Sequence, residues 1–460
     1  MDPLRVCLAS QTPPAKFRGN PAELAERYPD LAQVPDLREL QEGVDYDWTT
    51  GGVPVMLRQL LASGQALGLW GEASWVALNP TAPPEYKLSG TRVRSVSLEP
   101  ARLRAYASCK EKMWAEIHGL PLPGGPVTTQ EFGAFTAYNW RTAREMLELL
   151  PESDVAFVHD FQLVQVGAML GLSGPVVLRW HIPFEPHTWS RYFRNYVVRV
   201  VEDFDAVIVS CRRDLEGLLR SGYHGTARQV YPYLDPASIR PAQPAAREIL
   251  AGKLGIAEDA PVVLCVSRMD PIKGQDRLIT AFATVARKLP EARLVMVGNG
   301  SFTSSAARGL GHPKGSRWRA QLEQQVRDLR LQEQVRFTGY LPPELLDAAW
   351  ERCAAVAQPS AIEGFGLTAV EAWLHGKPVV VSRGAGASEL VLEGVSGYTY
   401  APDDTDALAS HVLDLLANPD EAARMARRGR ETAQRCAMAE GAKAETAVLQ
   451  EAVADFRRPS

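Results

Sequence analysis

Residues 354–382 read AAVAQPSAIEGFGLTAVEAWLHGKPVVVS, and this pattern predicts a strand, a loop, a helix and a second strand. The runs at 354–358 and 378–382 are nearly all apolar, as in strands that are buried on both faces of a parallel sheet. A loop that contains Glu363 follows the first run, and a helix begins near Leu367. The stretch is therefore typical of a strand–helix–strand unit in an α/β fold.

The same alternation continues on both sides of this stretch. Apolar runs predict strands in two series, at 5–10, 74–78, 155–159, 176–180 and 206–210, and then at 262–267, 293–298, 335–338, 354–358 and 378–382. Amphipathic segments such as 276–288 and 318–329 predict helices between strands, and the tail from 405 to about 456 is helical in composition. This alternation predicts an α/β architecture with doubly wound parallel sheets.

A proline-rich segment separates the two series of strands. Residues 231–244 contain Pro232, Pro236, Pro241 and Pro244, a density that is typical of a linker or hinge. We therefore expect one domain at 1–238, a second at 239–430, and a helical tail at 431–460 that packs back on the first. Two such domains leave a cleft at the carboxyl ends of their sheets, where ligands bind. The Ser-, Gly- and Ala-rich segment 301–316 predicts a mobile loop.

The composition excludes several functional classes. The 460 residues are 46% hydrophobic and 23% charged, which suits two or three globular domains and not a disordered chain. The 50 basic and 54 acidic residues give a net charge of −4 without a basic block, which argues against nucleic-acid binding. The six cysteines are far apart, so no CxxC metal or redox motif exists. No apolar run approaches the roughly 20 residues of a membrane span and no signal sequence is evident, so we expect a soluble cytoplasmic protein without a membrane partner.

The loop after residue 358 carries the strongest chemical pattern. Gly364 and Gly366 allow the backbone to approach a ligand closely, and the amides up to Thr368 at the start of a helix suit a diphosphate. Glu371, about one turn into that helix, could accept hydrogen bonds from a ribose diol. The alternative is a strand–helix turn whose acids are incidental. The candidate ligand contacts here are Glu363, Gly364, Phe365, Gly366, Leu367, Thr368 and Glu371.

A second loop supplies positive charge. The run at 262–267 leads to Arg268 and Lys273, and two cations five residues apart can neutralise a diphosphate leaving group without a metal. A solvated loop with two basic residues is the alternative. Gly298, in the run GNG at 298–300, is a candidate nucleotide contact. The full GxGxxG pattern is absent there, which disfavours a dinucleotide-dependent dehydrogenase.

Polar residues in the first half of the chain follow predicted strands or precede a helix. The run TTGGV at 49–53, with Gly51 and Gly52, either closes over a donor phosphate or simply starts the amphipathic helix that follows. His159 and Asp160 end one strand and His181 ends the next, so their side chains converge at one edge of the sheet. Asp160 could accept hydrogen bonds from a sugar acceptor and His181 could reach a donor sugar. A structural histidine is the alternative.

These motifs resemble those of a known family. The Glu363–x7–Glu371 pair, together with Arg268 and Lys273 as a phosphate-binding pair, is similar to the signature of the retaining glycosyltransferases of family 4. The resemblance implies the GT-B fold, in which two Rossmann-like doubly wound domains face each other across a cleft. The first domain then binds the acceptor and the second the nucleotide sugar. The similarity covers most of the chain and is weakest at 11–45.

The resemblance also implies roles for the candidate residues and for the ligands. Implied catalytic residues are Arg268, Lys273, Glu363 and His181; implied nucleotide-sugar contacts are Gly51, Gly52, Gly298, Gly364, Phe365, Gly366, Leu367, Thr368 and Glu371; implied acceptor contacts are His159 and Asp160. The donor is UDP-, ADP- or GDP-glucose, and neither a metal nor a further cofactor is required. The expected partners are small-molecule sugars, and neither a nucleic acid nor a membrane is expected. The formation of a homodimer is possible.

Within this family the chain is most similar to trehalose synthases, which join an NDP-glucose to free glucose. The segments 50–53, 158–160, 179–181 and 360–371 carry that similarity. Residues 181–184 and 268–273 also resemble trehalose-6-phosphate synthases, although the carboxylate loop is of the family 4 form. We therefore expect retaining transfer of glucose to glucose, which forms trehalose.

Other acceptors and other classes stay open. The trehalose-6-phosphate and sucrose-phosphate types use a sugar phosphate, and Lys16 or Arg18, just after the first strand, could hold its phosphate. A non-catalytic nucleotide-sugar sensor is an alternative of another class, but a sensor need not keep the leaving-group cations. A GT-B epimerase should lack the Glu–x7–Glu pair.

Overall fold

The computed structural model describes residues 2–30, 32–49, 52–299 and 314–457. The chain divides into two compact units. Met1–Tyr231 and Met438–Ser460 form the first unit, and Pro232–Ala437 forms the second. The passage from the first unit to the second thus lies at the start of the proline-rich segment 231–244, while the domain bounds at 238 and 430 stay a prediction.

The first unit is built on a mainly parallel sheet. Its described strands are β1 (Leu4–Ser10), β2 (Ala15–Phe17), β3 (Tyr46–Trp48), β4 (Trp70–Leu78), β5 (Glu85–Leu88), β6 (Thr91–Val96), β7 (Val155–His159), β8 (Val176–Arg179), β9 (Ala206–Val209) and β10 (Thr226–Gln229). The sheet order is β10-β9-β8-β7-β1-β4-β6-β5, in which the pair β5 and β6 is antiparallel. β2 and β3 form a separate antiparallel ribbon.

Helices pack against this sheet and explain the apolar sequences of its central strands. The described helices of this part of the chain are α1 (Pro21–Arg27), α2 (Gly52–Ala66), α3 (Pro100–Ile117), α4 (Thr129–Leu149), α5 (Val166–Leu170), α6 (Arg191–Val201) and α7 (Arg212–Arg220). Every residue of β7 and of β9 is buried, as a strand inside a covered parallel sheet requires. The carboxyl ends of β7 and β8 are therefore fixed by packing.

The second unit repeats the same architecture with an all-parallel sheet. Its described elements are β11 (Val262–Val266), β12 (Arg293–Val297), β13 (Val335–Gly339), β14 (Ala355–Gln358), β15 (Val379–Ser382) and β16 (Tyr398–Tyr400), with α8 (Pro244–Leu254), α9 (Gln275–Lys288), α10 (Lys314–Asp328), α11 (Pro343–Arg352), α12 (Thr368–Leu374), α13 (Thr405–Ala417) and α14 (Pro419–Ala433). The sheet order is β13-β12-β11-β14-β15-β16. β11 and β14 are neighbours, so the loops that follow them meet at one edge of the sheet.

The last helix, α15 (Met438–Phe456), belongs to the first unit although it follows the second unit in sequence. It packs against α2, β7 and β8. Trp70 Nε1 donates to Thr446 Oγ1 over 2.9 Å, and both side chains are buried. Among the described residues, no helix is long and apolar enough to cross a membrane.

The structure confirms every strand that the apolar runs predict, with small shifts at the ends. The largest is at β4, which begins at Trp70 and not at residue 74. The helices at 276–288 and 318–329 correspond to α9 and α10, and the helical tail forms α13, α14 and α15. The prediction of a loop at 301–316 is wrong at its end, because α10 already begins at Lys314. Residues 301–313 of that segment lie outside the described residues.

Candidate active site

The loop between β11 and α9 carries the two predicted cations. Arg268, just after β11, is half-buried. The next residue anchors the loop to the end of β12, because Met269 N–H donates to Asn299 O over 2.9 Å. The Asp270 carboxylate then accepts the Ile272 N–H at 3.2 Å and stabilises the short turn that presents Lys273.

Lys273 and Glu363 form an ion pair between the loops that follow β11 and β14. The Lys273 ammonium donates to Glu363 Oε1, and the two side chains are only 12% and 20% exposed. The other oxygen, Glu363 Oε2, accepts from Ser360 Oγ at 2.6 Å and from Gln358 Nε2 at 3.1 Å. Burial raises the pKa of Glu363, but the Lys273 ammonium and these two donors outweigh burial and hold it below its usual value. Glu363 is therefore an oriented carboxylate anion.

A glycine allows the two loops to approach so closely. Gly274 follows Lys273 with φ +64°, and a Cβ on it would lie 2.0 Å from the Pro359 carbonyl oxygen. The contact continues along the chain, where Ala361 N–H donates to Ile272 O over 2.8 Å. Since no larger residue fits at Gly274, this position sets the distance between Lys273 and the carboxylate loop.

Gly366 has a similar function in the carboxylate loop itself. Its φ is +92°, and a Cβ would lie 1.7 Å from Gln358 Nε2. The Gln358 amide thus fills this space, where it donates to Glu363 and accepts the Ala369 N–H at 3.1 Å. The glycine-rich pattern therefore supports the orientation of Glu363 as well as close approach of the backbone.

Glu371 lies in α12 and has a different electrostatic environment. Its backbone N–H donates to Leu367 O over 2.8 Å, while its half-buried carboxyl has no side-chain partner among the described residues. Burial raises the pKa of Glu371 to about 7. The two carboxyls of the Glu–x7–Glu pair are thus different groups, one held as an anion and one that titrates near neutrality.

The other nucleotide-sugar candidates of the second unit line the same edge of the sheet. Gly364 and Phe365 are buried, and Leu367 precedes α12. Thr368, the first residue of that two-turn helix, donates its hydroxyl to Val266 O over 3.3 Å. Gly298 has φ +132°, and a Cβ there would lie 2.0 Å from Ser267 O, so it permits close packing beside the Arg268 loop.

His159 and His181 lie together at the ends of β7 and β8. His159 Nδ1 is 3.0 Å from His181 Nε2, and the rings are stacked with centroids 5.3 Å apart. Burial lowers the pKa of both rings well below the usual value, and the neighbouring Arg179 guanidinium lowers it further. Both rings are therefore neutral at pH 7, so one donates and the other accepts. His159 is fully buried and His181 half-buried, so His181 presents the more accessible ring.

Asp160 joins this pair through the backbone. It has φ +74°, and its Oδ1 accepts the Phe161 N–H at 3.0 Å and the His181 N–H at 3.5 Å. Burial raises the pKa of Asp160 to about 6, although these backbone donors oppose the rise. The structure thus brings His159, Asp160 and His181 into one cluster.

Lys16 lies in β2 of the β2–β3 ribbon and Arg18 directly follows that strand, outside the sheet that carries this cluster. The Arg18 guanidinium is paired with both oxygens of Asp47, at 2.7 and 2.6 Å, so its charge is already compensated. Lys16 is half-buried and its ammonium has no hydrogen bond or ion pair with the other described residues; burial lowers its pKa.

The glycine turn before α2 is only partly described. Thr50 and Gly51 lie outside the described residues, while Gly52 is exposed at the first position of α2. Thr49 is buried in front of it. Arg58, nearly two turns further along α2, donates to Pro14 O over 2.8 Å and to Thr49 O over 3.1 Å, and thereby fixes the chain before the turn.

Sequence reasoning missed the residues that orient the candidates. Ser360 and Gln358 hold Glu363, and Arg179 pairs with Glu445 of α15 at 3.0 Å. The only available signal was a polar residue inside or next to an apolar strand, as at Gln358 and Arg179.

Among the described residues, no group of three or more His, Cys, Asp or Glu side chains is arranged to hold a metal ion.

Comparison with known families matches the second unit. Residues 246–432 match the family described as glycosyl transferases group 1. A GDP-mannose-dependent α-(1-6)-phosphatidylinositol monomannoside mannosyltransferase of Mycolicibacterium smegmatis is 32% identical over 308 residues, which are 61% of this chain and 76% of that protein. A D-inositol 3-phosphate glycosyltransferase of Corynebacterium urealyticum is 31% identical over 279 residues, 55% of this chain and 63% of that protein. The chain thus spans about three quarters of the first relative and less than two thirds of the second.

Solved structures resemble the whole chain. A trehalose-6-phosphate synthase has a TM-score of 0.74 at 16% identity, covering 97% of this chain and 99% of that one. The sucrose-phosphate synthase of Thermosynechococcus elongatus has a TM-score of 0.68 at 22% identity, covering 98% and 100%. An Anabaena protein in complex with UDP and glucose has a TM-score of 0.63 at 20% identity, covering 97% and 100%. These similarities show the fold, which is GT-B.

The family and the fold agree with the motifs in the loops that follow β11 and β14. Because the chain covers 76% of a relative that is 32% identical, and because its second unit matches the family model, the chain belongs to the glycosyl transferases of group 1 and is a hexosyltransferase that depends on a nucleotide sugar.

Proposed function

We propose that the protein transfers a glucosyl unit from UDP-, ADP- or GDP-glucose to free glucose, with retained α configuration, and so forms trehalose. The observation that supports this transfer is the position of the Lys273 ammonium. Lys273 lies on the same loop as Arg268, and its ammonium is held by the Glu363 carboxylate of the loop after β14. In this proposal the second unit binds the nucleotide sugar and the first unit binds the acceptor.

The cations act on the leaving group. As the bond between glucose C1 and the diphosphate oxygen breaks, negative charge develops on the diphosphate, and Arg268 and Lys273 stabilise it. A bond forms between C1 and the acceptor hydroxyl oxygen on the same face, and the hydroxyl proton passes to the departing diphosphate. Because the Lys273 ammonium is mostly shielded from solvent and already oriented, it needs little reorganisation as the charge develops.

The carboxylates and the histidine pair orient the sugars. Glu363, an oriented anion, accepts hydrogen bonds from hydroxyls of the donor glucose, and Glu371 accepts them from the ribose. His181 offers a neutral ring to the donor hexose, with its orientation set by His159. The buried Asp160 carboxyl binds an acceptor hydroxyl.

The ion pair between Arg18 and Asp47 favours an unphosphorylated acceptor. Arg18 is already neutralised by Asp47, so it offers no net charge to a phosphate. The compensated charge of Arg18 supports free glucose over glucose 6-phosphate as the acceptor.

A phosphorylated polyol is the second candidate acceptor, and one observation favours it. The Lys16 ammonium has no partner among the described residues and is half-buried, so an anionic ligand would compensate it. The relative from Corynebacterium is named for an inositol phosphate acceptor, which is the same chemical class.

A matrix of donors and acceptors tests the proposal. UDP-, ADP- and GDP-glucose and GDP-mannose are each combined with glucose, glucose 6-phosphate and inositol 3-phosphate, NDP release is measured, and NMR identifies the linkage. We expect the highest kcat/KM with an NDP-glucose and glucose, and an α,α-1,1 product. Preference for a phosphorylated acceptor, lost in Lys16→Ala, would establish the second candidate instead.

A further inference from the structure

Gln275, the first residue of α9, is a fully buried amide with three polar contacts. Its Nε2 donates to Ser267 Oγ over 2.9 Å and to Arg268 O over 2.6 Å. Its Oε1 accepts from Trp318 Nε1 of α10 over 2.9 Å. Both amide hydrogens and the amide oxygen are therefore engaged, as a buried amide requires.

These contacts join the two ends of the loop that carries the cations. The backbone of Gln275 follows directly on Lys273 and Gly274, while its side chain binds Ser267 and Arg268 at the other end. The loop is thus closed by a side chain in addition to its own turn. Trp318 of α10 donates to the amide oxygen, so a rotation of the Gln275 side chain would break this third hydrogen bond as well.

We infer that Gln275 is a positioning residue that fixes the spacing between Arg268 and Lys273, so that both cations meet one diphosphate. The inference rests on the proposed role of these two cations. A residue that served only packing would have no need of an amide here, because an apolar side chain of the same length would fill the space. The amide instead donates to the Arg268 carbonyl, a hydrogen bond that an apolar side chain could not make.

Gln275→Met tests the inference, because it keeps the length of the side chain and removes both donors. The affinities for UDP, ADP and GDP, and for the corresponding nucleosides, are measured by titration calorimetry on the full chain. We expect the affinity for the preferred diphosphate to fall about 10- to 100-fold, since the loss of one hydrogen bond to a charged group has effects of about that size. The affinity for the nucleoside should stay within about two-fold, because a nucleoside lacks the diphosphate on which the two cations act. In turnover, kcat should fall while the KM for the acceptor is unchanged.

Gln325→Met is the matched control. Gln325 lies on α10 and its Nε2 donates to Asp276 O and Thr280 Oγ1 of α9, each over 2.9 Å, so it joins the same two helices without touching the Arg268 loop. We expect this variant to bind the diphosphate like the wild type. A loss of affinity equal to that of Gln275→Met would show that helix contacts in general are responsible, and would overturn the inference.

Two further variants keep the result decisive. Trp318→Phe removes the donor to Gln275 Oε1 and keeps an aromatic ring against the core, and we expect a smaller loss in the same direction. If Gln275→Met does not fold, wild-type diphosphate affinity in Trp318→Phe overturns the inference. Arg268→Ala distinguishes a failure of the proposed role of the cations from a failure of the positioning role of Gln275. If it leaves diphosphate affinity unchanged, the proposed role of the cations fails; if it lowers the affinity and Gln275→Met does not, only the positioning role fails.

Discussion

At the scale of single residues, Lys273 has the clearest expected effect on catalysis. Its ammonium holds the pKa of Glu363 down and, in the proposed function, stabilises the departing diphosphate. Removing one preorganised charge donor typically lowers the rate roughly 10²–10³-fold. We therefore expect Lys273→Ala to lower kcat by about that factor, measured as NDP release under saturating donor, and Arg268→Ala to behave alike.

Lys377 provides the matched control in the same unit. Its ammonium donates to Glu351 O and Cys353 O, each over 2.8 Å, and has only structural contacts. Lys377→Ala should lower the melting temperature but keep kcat within about two-fold, since it loses hydrogen bonds and no transition-state contact. A kcat for Lys273→Ala within a few-fold of wild type would remove Lys273 from the mechanism.

Glu371 should give donor binding a pH dependence. Burial raises its pKa from 4.5 to about 7, so the fold favours the protonated form, and this contribution to stability is lost as pH rises through about 7. The carboxylate is the form that accepts hydrogen bonds from both ribose hydroxyls. We therefore expect the KM for the nucleotide sugar to fall as pH rises through about 7, and Glu371→Gln to remove this change.

Asp160→Asn is the control for that profile. The pKa of Asp160 is raised to about 6, and the residue lies in the first unit, so its removal should leave the change near pH 7 in donor KM intact. If Glu371→Gln keeps the same profile as the wild type, then Glu371 does not contact the ribose as a carboxylate.

At the scale of elements, Gly274 determines how closely the loops after β11 and β14 approach. A Cβ there would meet the Pro359 carbonyl, and φ is +64°, so Gly274→Ala combines a steric clash with left-handed backbone strain. We expect it to separate Lys273 from Glu363 and to lower kcat by about ten-fold or more. Steady-state kinetics and thermal unfolding of the same preparation measure both effects.

Gly255 isolates the effect of strain alone. It ends α8 with φ +59°, and a Cβ there would meet no atom within 4 Å. Gly255→Ala should therefore cost about 1–2 kcal/mol of stability from the backbone conformation without changing kcat. Equal kcat losses in the two variants would mean that stability, and not the distance between the loops, limits activity.

The elements also show what the sequence could and could not predict. Strands such as β7 and β11 were predictable because burial on both faces makes them continuous apolar runs. β6 was missed because Arg92 and Arg94 interrupt its apolar pattern, and those arginines pair with Glu85 of the neighbouring strand. The loops with Arg268 and Glu363 were recognisable from local spacing. The contacts that orient them were not, because Lys273 and Glu363 are 90 positions apart and meet only through the order of β11 and β14.

At the scale of the whole molecule, the path of the chain makes the first unit depend on its last helix. Residues of the second unit separate α15 from the rest of the first unit, yet Glu445 of α15 reaches Arg179 at the end of β8. The same guanidinium donates to Val209 O over 2.9 Å and to Val230 O over 2.8 Å. A single cation at the end of β8, two residues before His181, thus joins α15 to the ends of β9 and β10.

Glu445→Gln should therefore destabilise the first unit strongly. Both side chains of the Arg179–Glu445 pair are fully buried, and removing one charge of such a pair typically costs about 3–5 kcal/mol, because the other charge stays buried without compensation. Glu451 of the same helix pairs with Arg228 at the surface, where the side chains are 40% and 44% exposed, so Glu451→Gln should cost less than about 1 kcal/mol.

Hydrogen exchange of amides in β7 and β8 reports the stability of the first unit, and exchange in β11 and β14 reports that of the second. We expect Glu445→Gln to reduce protection in the first pair of strands and Glu451→Gln to leave it unchanged; equal protection in both variants would mean that α15 holds the first unit through its apolar contacts alone.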